Sequence, residues 1–180
     1  MPTSLKIIEQ TKKWIVDVVV ACHFCPFAAQ IMKDQKVHYE VVTDTAMASC
    51  LVAVLRELTR LDDDNTIETT FLIFPVAFEQ FDDFLGFVAL AEQRLNQKKY
   101  GGIYQLASFH PLYRFSDATD NDAANYTNRS VYPMLHLLRE ASIDKALKHY
   151  KSPEHIPAAN IAYAQEKGFS AMKKLRETCF

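Results

Sequence analysis

The sequence predicts an α/β domain: a small, mostly parallel three-stranded sheet in the order helix-β-α-β-α-β, covered by helices and followed by a helical C-terminal extension. Three observations predict it. Strand-like runs at 36–42, 67–74 and 103–109 alternate with helical patterns, which favours parallel strands joined by right-handed crossovers. The run at 67–74 ends in continuous apolar residues, as a strand covered on both faces does. A hydrophobic content of 49% over 180 residues suffices for one core. An α+β arrangement with a mixed sheet is the alternative.

Each element has its own signal. Leu5, Ile8, Ile15, Val18, Val19 and Cys22 recur at helical spacing, so 4–22 reads as an amphipathic helix capped by Ser4. The β-branched run at 16–20 leaves a strand there as the second reading. Val37, Tyr39 and Val41 alternate with His38 and Glu40, the pattern of a half-buried strand. Asp44 is a good N-cap for a helix carrying Met47, Cys50, Leu51, Val54, Leu55, Leu58 and Leu61 on one face. An acidic turn at 62–65 leads into the second strand, which Pro75 stops. Phe81, Phe84, Leu85, Val88 and Leu95 mark a helix ending near Gly101 and Gly102, and 103–109 is the third strand. Beyond a polar connection, 134–150 and 153–178 read as helical, with Pro153 suited to a first turn and Gly168 a break. His149 and His155 read as caps at that junction. The whole reads as one domain: a core at 1–110, a polar connection at 111–132 and a helical extension at 133–180 packing on the core.

Charge narrows the partners. A net charge of −2 offers no basic field for a nucleic-acid backbone, so the expected partner is a small ligand. Lys6, Glu9, Lys12, Lys13 and Asp17 interrupt any signal-peptide stretch or membrane span near the start, and a cytoplasmic protein is expected. Four cysteines in such a compartment read as thiols.

The polar connection is the candidate site. It gathers His110, Asp117, Asp120, Asp122, Asn125, Asn128 and Arg129 ahead of His136, and its aromatic residues argue against disorder. If the sheet is parallel, His110 falls at the carboxyl end of a strand, where ligands gather in such folds.

Certain residue runs resemble a known family. Cys25-Pro26-Phe27-Ala28, then Phe109-His110-Pro111 with Tyr113 and Phe115, then Asn125-Tyr126-Thr127-Asn128-Arg129-Ser130 running through Tyr132-Pro133-Met134 to Glu140, resemble the uncharacterised family called domain of unknown function 1415. The resemblance covers nearly the whole chain and implies no activity. Val131 stands where the family pattern has a proline, and Ser116 follows Phe115 where a glycine is usual.

Several constellations carry chemistry. His110, with Asp120 or Asp122 and His136, supplies ligand types suited to zinc or iron(II), although the spacing matches no compact metal motif. Arg129, beside Asn125, Asn128 and Ser130 and ahead of a helix expected from Pro133, could receive a carboxylate or phosphate, with Arg139 as a further cation. The alternative is that Arg129 pairs with Asp120 or Asp122 while the asparagines brace the loop. If the two halves converge, His110 or His136 would act as general acid/base, Asp122 would orient it and Arg129 would hold the anion. His136, on an expected helix among leucines, reads more as a core residue, which makes His110 the better candidate. Cys22 and Cys25 have C-x-x-C spacing; Cys25 could be a nucleophile near His110, or a buried thiol. The expected function is hydrolase, isomerase or lyase chemistry on a small anionic metabolite. The alternative is a non-catalytic domain that binds a ligand or protein, with the polar connection purely structural.

Overall fold

A computed structural model describes residues 2–148 and 150–180. Met1 and His149, the latter expected as a cap, lie outside the described residues. Helix α1 (Ser4–Trp14) is capped by Thr3, not by Ser4: the Thr3 hydroxyl accepts the Lys6 N–H. The helical path continues through a wider π-helical segment, Ile15–Val20, so the strand reading of that β-branched run is overturned. Helix α2 (Ala28–Lys33) leads to strand β1 (Val37–Val41), helix α3 (Met47–Asp63), strand β2 (Thr69–Ile73), helix α4 (Phe81–Gln97) and strand β3 (Tyr104–Phe109). Asp44 lies ahead of α3 and turns the chain by accepting the Ala46 N–H at 2.8 Å.

The main departure from the sequence reading comes next. Residues 134–139 form a strand, β4 (Met134–Arg139), and only then does helix α5 (Glu140–Leu147) begin. The sheet therefore has four strands in the order β1-β2-β4-β3 and is mixed, as in the α+β alternative. β1 and β2 are parallel, and β4 runs antiparallel to both β2 and β3. The β2–α4–β3 crossover skips one position, and β4 returns into it. Methionine and leucine favour helix in isolation, but a short, mostly apolar run such as Met134–Leu138 cannot be told from a strand by periodicity. Five of the six β4 residues are buried, and the vacant central position in the sheet pairs their backbone on both sides.

Helices cover both faces. Leu72, Phe74, Leu135 and Leu137 face α3 and α4, packing on Leu58, Leu61, Phe84 and Phe87. Phe71, Ile73 and Met134 face α1, the π-helical segment and the C-terminal helices α6 (Ile156–Lys167) and α7 (Phe169–Glu177), meeting Trp14, Val18, Ala164 and Met172. The residues after α5 therefore complete a core layer.

Gly168 separates α6 from α7 with φ 82° and ψ 155°. Essentially only glycine occupies that region, and open space surrounds the position where a Cβ would stand. Gly168→Ala should therefore lose about 1–3 kcal/mol through backbone strain alone. A urea denaturation curve with a lower midpoint and an unchanged slope is the expected readout.

Candidate functional site

The polar connection closes on itself through its own side chains. His110 directly follows β3 and is buried. Its Nε2–H donates to Phe78 O at 2.8 Å, and its Nδ1 accepts the Leu112 N–H at 3.0 Å. Phe81 and Phe84 flank the ring, and burial pushes its pKa below the usual histidine value. Both nitrogens are thus spent on backbone. The bond to Phe78 secures a residue at φ 61°, a conformation rare for a bulky side chain.

The asparagines and Arg129 work the same way. Asn125 accepts the Phe115 N–H at 3.1 Å and donates to Thr119 O at 2.8 Å, while Asn128 O accepts the His110 N–H at 3.2 Å. Arg129 donates from Nε to Tyr113 O and from Nη2 to Asp120 O, both at 2.9 Å, with its guanidinium over the Tyr126 ring. Its partners at Asp120 and beyond are carbonyls, not carboxylates. The expected helix N-terminus beside Arg129 is absent because β4 occupies that stretch. Asp122 caps the 3-10 turn Ala123–Thr127 by accepting the Ala124 N–H, and it receives Gln165 from α6. Arg139 donates to the carbonyl of Leu61 and, at 3.1 Å, to that of Ile67, tying down the acidic turn after α3. Each of these cations holds backbone that would otherwise lack a partner.

His136 lies elsewhere. It faces the α1 side of the sheet, stacked on Phe71 with ring centroids 3.8 Å apart, whereas His110 packs among the phenylalanines of α4 on the opposite side. His110, Asp122 and His136 therefore do not converge on one ion, which removes the geometry expected for zinc or iron. Among the described residues the grouping with ligand atoms close enough for a metal is His38, Glu40 and Glu57. Two arginines already neutralise it: Arg56 reaches Glu40 and Glu57, and Arg60 reaches Glu57 at 2.8 Å. A cation there would meet no net negative charge.

What His136 does face is a cavity of about 50 Å³ between the sheet and the N-terminal helices. Trp14, Val19, Cys25, Phe71 and Phe109 are among its walls, with Thr69 beside His136. Thr69 sits on the neighbouring strand; its hydroxyl donates to Leu137 O at 2.5 Å and meets His136 Nε2 at 2.6 Å. A hydroxyl that has given its one proton to a carbonyl can only accept, so the network assigns the proton to Nε2. Burial holds the imidazole neutral, with its pKa pushed down to about 3. Cys25, Ala28 and Met32 are half-buried and place the opening beside α2. Burial pushes the Cys25 thiol up from its ordinary value. Cys22 turns away to a separate depression with Tyr163, and both are free thiols.

Trp14 and Thr69 were not legible as site residues. No local pattern joins them to His136; the link is the cross-strand register, which pairs Thr69 with Leu138 and Phe71 with His136.

These features define an α+β domain with a mixed four-stranded sheet, a braced polar connection and an apolar cavity. The chain belongs to the DUF1415 family, described as proteins of unknown function, whose model matches residues 6–174. No curated protein and no solved structure matches the chain. Among the described residues no helix is long and apolar enough to cross a membrane.

Proposed function

We propose that the protein is a non-catalytic ligand-binding domain whose cavity beside His136 takes a slender apolar group such as an alkyl chain. The carrying observation is the chemistry of the walls: rings and aliphatic groups enclose the space, and no lysine, arginine or carboxylate lines it. A largely preformed apolar cavity with a few polar groups and a strongly perturbed histidine is the usual form of a small-molecule site. Size narrows the ligand. An engineered cavity of about 150 Å³ admits benzene. The space here is about a third of that, which suits a chain better than a ring.

Energetics weigh against acid/base chemistry at the same place. Burial raises the Cys25 thiol and lowers the His136 imidazole, so both groups resist the charged forms that a proton transfer between them would make. The anionic ligand suggested by Arg129 also has less support, because that guanidinium fork is engaged by carbonyls.

Trp14 is the single tryptophan of the chain and lines the cavity, so its emission reports occupancy directly. Titration with 1-octanol should change that emission saturably. Ala28→Leu, which places a larger side chain in the opening, should abolish the change while leaving the melting temperature close to that of the wild type. A wild-type titration that is linear and unsaturable would sink the proposal.

A further inference from the structure

Strand β1 lies at one edge of the sheet, paired only with β2. In a parallel pair, alternate residues direct both backbone groups to the neighbour. Lys36 O accepts the Glu68 N–H and Val42 N–H donates to Ile73 O, each at 2.9 Å, which sets the phase of the ladder. Even-numbered residues from Lys36 to Val42 therefore face β2, and Val37, Tyr39 and Val41 direct their N–H and C=O groups outward. Among the described residues nothing bonds to those outward groups. An exposed row of unpaired donors and acceptors is a template for a further strand.

The sequence of β1 fits its own copy. An antiparallel pairing centred on Tyr39 sets Val37 opposite Val41 of the copy and Tyr39 opposite Tyr39, so that the outward residues become the hydrogen-bonded pairs and every outward group gains a partner. In the same register His38 stands opposite Glu40, in the non-hydrogen-bonded positions where side chains approach most closely. Shifting the register by one residue loses both matches, because Val37, Tyr39 and Val41 no longer face one another. Beside the edge, a groove between β1 and α3 is lined by Val42, Val52 and Ala53 together with Glu40, Asp44 and Arg56, and Val52 is 63% exposed. The groove leaves room for the side chains of an added strand, and Val52 supplies apolar surface for it to cover. The opposite edge, β3, carries no charged side chain, so it offers no comparable pairing.

We propose that β1 joins β1 of a second copy of this chain, antiparallel about Tyr39, so that two four-stranded sheets form one continuous sheet across a twofold axis. The contact is isologous and closes at two copies, since each β1 has one free edge. It shares Val37 with the cavity wall, but uses the backbone of that residue and does not rest on the cavity's being occupied.

Sedimentation velocity of the full chain over a range of concentrations tests the proposal, together with hydrogen exchange resolved to β1. A mass of two chains is expected, with the amides of Val37, Tyr39 and Val41 at least about tenfold slower in exchange than in dilute monomer. Val41→Pro removes an outward N–H without touching the β1–β2 ladder, and proline is tolerated at such edge positions. It should sediment as a folded monomer with an unchanged circular dichroism spectrum. Wild-type protein that stays monomeric throughout overturns the proposal. So does a dimer whose β1 amides exchange as fast as in the monomer, a result that stands whether or not the proline variant folds.

Discussion

Arg129→Ala is expected to lower the free energy of unfolding by about 3–5 kcal/mol. The arginine is buried, and its fork holds the carbonyls of Tyr113 and Asp120, while its own carbonyl accepts the Trp14 indole N–H at 3.1 Å. Two hydrogen bonds from a charged donor are worth about 1.5–3 kcal/mol each, and truncation removes both and strands the half-buried Tyr113 carbonyl. Loss of the Tyr126 contact adds to the effect. Urea denaturation measures it. Arg129→Lys should recover only part of the loss, because an ammonium cannot reach both carbonyls in the geometry of a guanidinium plane. A wild-type-like Arg129→Ala would mean that the polar connection is not a brace, and would return Arg129 to the role of an anion receptor.

The second large effect is acid lability through His136. In the unfolded chain this imidazole titrates near 6.5, whereas burial holds the folded value at about 3. Above pH 6.5 the ring is neutral in both states. Below it the unfolded chain takes up a proton that the folded one refuses, so stability falls as pH drops until the folded value is reached. The slope is about 1.4 kcal/mol per pH unit and the total about 5 kcal/mol. His110, whose pKa is also lowered by burial, acts in the same direction. His136→Phe keeps the stack on Phe71 and leaves Thr69 bonded to Leu137 O. Between about pH 6.5 and pH 4.5 the wild type should lose about 2 kcal/mol more than the variant does. Equal losses in the two proteins would show that His136 is not buried neutral.

Taken together, these two effects recast the polar stretch and the second histidine. The aromatic residues of the polar connection were a sound sign that the segment is ordered, and the leucines around His136 marked it as a core residue. Their partners were not legible. Whether Arg129 serves an anion or a carbonyl depends on which backbone atoms come within 3 Å, and Tyr113 and Asp120 are 16 and 9 residues away in the chain. The strand identity of 134–139 likewise has no local signature, since its leucines and methionine satisfy a buried helix and a buried strand equally.

Local chemistry was enough for the helices of the α3 and α4 layer, the alternation in β1, the apolar run of β2 and the break at Gly168, because side-chain periodicity and backbone permission act within a few residues. The insertion of β4 between β2 and β3, the separation of His110 from His136 on opposite faces, and the cavity walled by Trp14, Cys25, Phe71 and Phe109 arise only from pairing register and layer packing. Those are contacts between residues far apart in the chain, and their energy depends on partners that no single stretch of sequence contains.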